Sequence, residues 1–296
     1  MIKVKVYSYD RESSVEVELD NIDEKQYQSI QKELLEKLDN EQAYSAISHA
    51  FTYAVNLCPK ANPSDLWQHV IYRTFIENGR NEQSWKRASG QGFENAFVEL
   101  YNSRLANFGI RLVVLSSITA NQALEEMKLK GVIAPSKMDI AIQGNCGSAE
   151  AKWKIFGVIH AKTSIAERIK DDAPASKLIM DKGFMSVLVT LDSKSFPPPH
   201  GDGVNHGELG GRTFGQNRNG PQPKRDYFEI DGDFHFGYSY NLRTPPTVGE
   251  TRSGSKIKTL SFNLEQPDEV VKDISEFWDK VKGNICVQVP ETKILR

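Results

Sequence analysis

The run from Trp153 to Lys162, Trp-Lys-Ile-Phe-Gly-Val-Ile-His-Ala-Lys, is the most apolar strand-like stretch in the chain, and it ends on a lysine. Side chains two apart along a strand share a face, so His160 and Lys162 emerge together. A lone lysine in that place is explained by snorkelling, with the stem buried and the head in water. A second charged residue on the neighbouring strand changes that reading, and Lys137 to Ile142 supplies one as a strand with Asp139 between Met138 and Ile140. A carboxylate in the middle of a strand is expensive to bury without a partner. Asp139 is therefore either a solvent-facing residue on an edge strand or half of a pair with Lys162.

The flanking pattern supplies the rest of a layered fold. Residues 1–19 read as a β-hairpin turning near Asp10-Arg11-Glu12, with Ile2, Val4 and Val6 on one face. Helical spacing follows in three pieces between Glu24 and Asn78, the second stopping at Cys58-Pro59 and the third capped by Ser64-Asp65. Residues 1–79 are expected to be a hairpin and helical subdomain serving support or dimerisation, and residues 80–296 a catalytic and recognition domain. Glu82 to Leu105 is the next helix, where Gly90 and Gly92 suggest close approach of another backbone. Strands are expected at 110–115, 137–142, 153–162 and 186–191, with short helices at 121–130 and 175–182 and a hairpin-like turn at 144–147. Residues 194–226 are rich in Gly, Pro, Asn, His and Arg. They read as a long surface loop, or as one in which Arg212, Arg218, Lys224 and Arg225 wrap a phosphate backbone. Strands at 227–240 and 256–264 and an amphipathic helix at 267–282 complete the chain.

Composition removes several classes. No apolar run approaches the length of a membrane-spanning helix, and the N-terminus lacks the apolar core of a signal peptide, so a cytoplasmic location is expected. Cys58, Cys146 and Cys286 are odd in number, far apart and outside any CxxC pattern, which argues against a disulfide framework or a structural zinc site. The net charge of −2 does not announce a nucleic-acid binder, although a basic cleft can sit on an acidic body.

Helix, three strands, helix, strand is the core order of the PD-(D/E)xK nucleases, with the aspartate on the second strand and the lysine on the third. On that reading Asp139 is a metal ligand, and Lys162 orients the attacking water or stabilises charge on the phosphate. His160 is discordant, because an imidazole stands where the pattern has a carboxylate, and imidazole suits softer metals than Mg²⁺. It is a candidate base or water-positioning group. Another acid must then complete the site. Glu94 leads, with Asp171 and Asp172 behind it and Glu150 weaker.

The blocks SWKRASGQGFENAF, GIRLVV, MDIAI and FGVIHAKTSIAERIKDDAPAS resemble the BsaWI-type type II restriction endonucleases over roughly residues 84–192. The resemblance implies an α/β fold with a PD-(D/E)xK core, a central mixed sheet flanked by helices. It also implies Mg²⁺ as cofactor, double-stranded DNA as substrate and a homodimer as the acting unit. It carries metal or catalytic roles to Glu94, Asp139 and Lys162, and places His160 where the family tolerates a non-acidic residue. Related CCGG-cutting enzymes read G·C pairs with an Arg-Asp-Arg-like signature after the lysine; here the equivalent is Ala166-Glu167-Arg168, without the first arginine. Arg168 is expected to contact guanine and Glu167 cytosine. Ser164, Lys86, Arg212 and Arg218 join them as DNA-contact candidates. The expectation is a Mg²⁺-dependent, site-specific deoxyribonuclease. The competing readings are a DNA-binding protein with a degenerate site and a nonspecific repair or anti-phage nuclease.

Overall fold

The computed structural model describes residues 1–7, 14–147, 152–165, 169–193, 205, 207–210, 223–263 and 268–286. β1 (Ile2–Tyr7) and β2 (Ser14–Leu19) pair as an antiparallel hairpin. α1 (Glu24–Asn40) starts at Asp23, whose carboxylate accepts from Gln26 N while the Gln26 side chain accepts from Asp23 N. α2 (Ala43–Leu57) follows, then α3 (residues 63–77), which passes through a π-helical stretch at Leu66–Tyr72. α4 (Glu82–Leu105) is capped by Asn81. Gly92 is required there, since a Cβ would stand 2.8 Å from Ile47 Cγ2 and 3.1 Å from the Tyr44 carbonyl oxygen. Nothing comparable approaches Gly90.

The sheet elements are β3 (Ile110–Val114), β4 (Ile140–Asn145), β5 (Trp153–Lys162), β6 (Met185–Thr190), β7 (Phe236–Ser239) and β8 (Lys256–Thr259), in that spatial order. β3, β4 and β5 are antiparallel, and β5 to β8 run parallel. α5 (Ser117–Glu126) and α6 (Ile169–Asp181) pack on one face. α4 and a C-terminal helix cover the other. Residues 223–231 form a short helix, α7, so the C-terminal helix is α8 (Glu269–Cys286). One apolar cluster runs from Val4 and the N-terminal helices through Phe93 and Phe97 to Phe156 and Trp278.

A register shift in the β4–β5 pairing decides which face receives the lysine. Ile142 is opposite Gly157 but Gln143 is opposite Ile155, so β5 carries one extra residue. Ile155 packs with α5 and α6. Strict alternation would put Ile159 and Ala161 on that face too, and Lys162 on the opposite one. Instead Val158 joins Ile155, while Ile159 and Ala161 pack with α4 and α8. Lys162 therefore emerges on the α6 side.

Several expectations are corrected. Asp139 lies outside the strand, one residue before β4, because Pro135–Lys137 forms a 3-10 turn; its carbonyl still continues the ladder by accepting from Leu115 N at 2.9 Å. The expected strand at 227–240 is a strand only at its end, since residues 227–231 coil so that Phe228 packs on Phe234 and against Gly237. α6 begins at Ile169 and continues through Pro174 rather than starting after it. Cys146 and Cys286 are disulfide-bonded, which overturns their reading as separate thiols: α8 folds back 140 residues of chain to the end of β4, a proximity no local spacing encodes. Cys58 is a buried free thiol. The hairpin turn near residues 10–12 lies outside the described residues.

Gly144 lets α8 seat on the sheet, since a Cβ there would lie 2.4 Å from the Trp278 ring. Gly144→Ala is expected to destabilise the protein by about 1–3 kcal/mol through overpacking. Thermal denaturation followed by tryptophan fluorescence reads it, and an unchanged midpoint with unchanged emission would contradict this account of how the helix docks.

Candidate active site

β5 and β6 run parallel, and Lys162 stands at the carboxyl end of β5. Ligands of open α/β sheets gather at that edge. The antiparallel β4 brings its own start there, so Asp139 arrives opposite the end of β5. Lys162 Nζ donates to Asp139 Oδ2 at 2.7 Å and lies 3.2 Å from Asp172 Oδ2. Asp139 Oδ2 also accepts from Ala161 N at 2.8 Å, which fixes the carboxylate against the β5 backbone. Lys137 Nζ lies 3.5 Å from Asp172 Oδ1. Two ammonium groups and two carboxylates thus alternate along the sheet edge.

Burial works against the Lys162 charge, but Asp139 and Asp172 overcome it and hold the pKa above the usual lysine value. Glu94 joins electrostatically from α4. Burial first, and then the Asp139 carboxylate, push its pKa up to about 7, while Lys162 pulls the other way. A carboxyl half-protonated near neutrality and repelled by a second acidic side chain is a place where a divalent cation relieves repulsion. Among the described residues no three His, Cys, Asp or Glu side chains already converge as a metal cage. Mg²⁺ does not require one, because it is ordinarily held by one or two carboxylates together with water and substrate phosphate. The hard oxygen donors of Glu94 and Asp139 fit that ion.

His160 shares the lysine's face but serves the interior. It is fully buried, and its Nε2 is 3.1 Å from Ser186 Oγ, which is 2.6 Å from Ser176 Oγ on α6. The ring stands edge-on to Phe234 at 5.5 Å. Burial pushes its pKa down to about 4 against the opposing pull of Asp139 and Asp172, so the imidazole is neutral at pH 7. Its Nδ1 has no hydrogen-bond partner among the described residues.

The other predicted residues fall elsewhere. Lys86 is exposed on α4 and lies 3.9 Å from Glu82, two turns before Glu94. Ser164 is half-buried just past the lysine. Glu167, Arg168, Arg212 and Arg218 lie outside the described residues, as do Glu150 and the side chain of Lys224. Arg225 is turned inward, bonding Glu229 at 2.7 Å and the carbonyls of Leu209 and Pro245 at 3.0 and 2.7 Å. It does not fit the phosphate-wrapping role considered for it. Asp171 is exposed, whereas Asp172 is buried against the lysine. The signal for that choice was present: Ile169, Asp172, Ala173 and Ser176 are buried at helical spacing, which points Asp172 inward.

Comparison with known proteins bears on the family and the fold. Residues 117–266 match the family described as BsaWI restriction endonuclease type 2. The Type II restriction enzyme AgeI of Thalassovita gelatinovora is 46% identical over 261 residues, covering 86% of this chain and 91% of that protein. The crystal structure of the specific restriction endonuclease AgeI–DNA complex superposes with a TM-score of 0.85 at 40% identity, covering 93% of this chain and 99% of that one. The pre-specific BsaWI–DNA complex matches at a TM-score of 0.44 and 20% identity, over 91% of this chain and 97% of that one.

The raised Glu94 pKa has a defined sign. With a folded value near 7 above an unfolded value near 4.5, its contribution to stability is fully present below pH 4.5 and is lost as pH rises through 7. Glu94→Gln, without the charge, is expected to melt higher than the unsubstituted protein in chelator at pH 8. The gain is on the order of 2 kcal/mol and shrinks steadily toward pH 5. Paired melting curves across that range test it, and a pH-independent difference would remove the electrostatic cause.

Proposed function

This chain belongs to the BsaWI restriction endonuclease type 2 family, and on that premise we propose that it makes site-specific cuts in double-stranded DNA by Mg²⁺-dependent hydrolysis at the Asp139–Lys162 centre. One observation carries the assignment of the centre: the half-buried ammonium of Lys162 stands 2.7 Å from Asp139 and 3.2 Å from Asp172 at the sheet edge.

Hydrolysis of a phosphodiester needs a water aimed at phosphorus, charge stabilisation on the non-bridging oxygens and a proton for the departing 3′ oxygen, so that the P–O3′ bond breaks to leave a 3′-hydroxyl and a 5′-phosphate. Lys162 supplies a fixed positive charge in a low-dielectric setting, where it acts strongly on the developing phosphorane charge and orients the water. Asp139 holds that ammonium in place, and the Ala161 N–H holds Asp139. Glu94 and Asp139 would hold the cation. When bound, Mg²⁺ polarises the phosphoryl oxygen and acidifies its water. Because Glu94 must lose a proton to serve as a ligand, cation affinity rises as pH passes through 7.

Asp172 takes the anionic place left by the imidazole at position 160, and Lys137 tempers its charge. His160 acts indirectly, as a neutral ring that ties β5 to Ser186 on β6 and, through it, to Ser176 on α6. Ser164, Lys86, Glu167, Arg168, Arg212 and Arg218 are assigned to DNA contact, with Glu167 and Arg168 reading bases. A palindromic site calls for two symmetric centres, hence a homodimer, for which the helices of residues 1–79 provide support or the dimer face. No described helix is long and apolar enough to cross a membrane. We assign the work to the cytoplasm, as the compartment in which such an enzyme would meet duplex DNA.

Digestion of phage or plasmid DNA with Mg²⁺ is expected to give discrete bands, with none in chelator and none from Lys162→Ala, which should retain a gel shift. A smear would overturn site specificity, and undiminished cutting by Lys162→Ala would overturn the centre. Binding should weaken steeply with salt, as phosphate contacts release counterions.

A further inference from the structure

A second buried carboxylate lies at the same sheet edge and takes no part in the chemistry above. Asp192 is 1% exposed, two residues beyond β6, with φ +45 in the left-handed region that favours glycine. Its Oδ1 accepts from Glu208 N at 2.7 Å, and its Oδ2 accepts from Leu209 N at 3.1 Å and from Thr244 Oγ1 at 3.0 Å. Gly207, at φ +67, presses so close that a Cβ would sit 2.1 Å from Asp192 Oδ2. Burial pushes the carboxyl up to about 6, against hydrogen bonds from Glu208, Thr244 and Leu209 that favour the ionised form.

The surrounding polar groups are also buried and satisfied. Asn241 Nδ2 donates to the carbonyls of Asn205 at 2.9 Å and Asp192 at 3.3 Å. Asn205 Nδ2 donates to Ser64 Oγ at 2.7 Å, and Asn62 Nδ2 to Asn241 Oδ1 at 3.1 Å. Arg243 grips Asp65 with two bonds, at 2.8 and 2.7 Å. Four distant segments thus meet here: the start of α3, the end of β6, Asn205 with residues 207–209, and the turn after β7. A fully satisfied buried polar network specifies one arrangement, and strained backbone persists only where the surroundings over-determine it.

That arrangement abuts the catalytic strand. Leu191 N donates to the Lys162 carbonyl at 3.2 Å, and Ser193 N to the Thr163 carbonyl at 2.9 Å, so Asp192 lies between the two residues that extend the β5–β6 ladder past the lysine. We propose that Asp192 is a positioning residue for DNA cleavage: its carboxylate clamps residues 207–209 and Thr244 onto the end of β6, and so fixes the Lys162–Thr163 backbone against the bound duplex. The proposal rests on the nuclease reading of the Asp139–Lys162 centre.

Asp192→Asn keeps the shape but replaces one acceptor oxygen with an amide that faces N–H or O–H donors. Thr244→Val removes one donor at nearly constant volume and serves as the milder test should the asparagine variant fold poorly. Each is compared with the unsubstituted protein on a duplex carrying the cut site, at a temperature where melting curves show all three fully folded. Asp192→Asn is expected to lower single-turnover cleavage by about tenfold or more, since small misplacements of catalytic groups have effects of that size, with DNA affinity within about threefold. Thr244→Val should show a smaller loss in the same direction. Cleavage at the unsubstituted rate by both folded variants, or a loss entirely in affinity, would overturn the clamp while leaving the nuclease reading intact. An unsubstituted protein that cuts no duplex would overturn that reading, and the clamp's catalytic role with it.

Discussion

β5 is buried from Ile155 to Ala161 while lying between an antiparallel and a parallel neighbour, and both of its faces have to be covered. α4 and α8 supply one cover, α5 and α6 the other, and one helix of each pair brings a carboxylate toward Lys162. α4 carries Glu94 to the sheet edge, and α6 carries Asp172. Hiding an apolar strand and gathering three carboxylates around its terminal lysine are therefore one packing problem. The extra residue opposite Ile142 and Gln143 links them, because it turns the second half of the strand over. Without it the lysine would face α4 and α8, away from Asp172.

The electrostatics of the centre favour function over resting stability. Lys162 is well matched to Asp139 and Asp172, but Glu94 is left with no cation to itself and a pKa near neutrality. Such a group weakens the fold at high pH, which is the usual trade at sites arranged for catalysis. His160 fits the same logic. A carboxylate in its place would be a further buried anion, whereas a neutral imidazole bonded to Ser186 fills the space without adding charge.

Much of this was legible in the order of elements. The long helix, three strands, helix and strand were readable from apolar spacing, and Lys162 from its place at the end of the most apolar run. What escaped depended on distant parts of the chain. Asp171 and Asp172 stood together behind Glu94 with the helix expected only from residue 175; the structure starts it at Ile169, which puts Asp172 on the buried face and Asp171 outside. The bulge in β5 leaves one faint trace, Gly157 inside an otherwise apolar strand, and a lone glycine does not say which residue is the extra one. The Cys146–Cys286 bond joins positions 140 residues apart, and the Asp192 network draws on four segments that share no local pattern. Tyr227 to Asp231 reads as strand by its aromatic content but coils, because Phe228 gains more by stacking on Phe234 than by joining a ladder.

The seating of α8 on Gly144 and Phe156 has a temporal side. In order of synthesis α8 is the last described element, made well after Glu94, Asp139, Lys162 and Asp172 have left the ribosome. Until it docks, Phe156 and the sheet around it lack one covering, and the strand that aims the lysine is only half supported. All four of these side chains are thus translated before the scaffold that aligns them is complete, so a nascent chain holds the whole sheet-edge cluster in sequence before it can hold it in place.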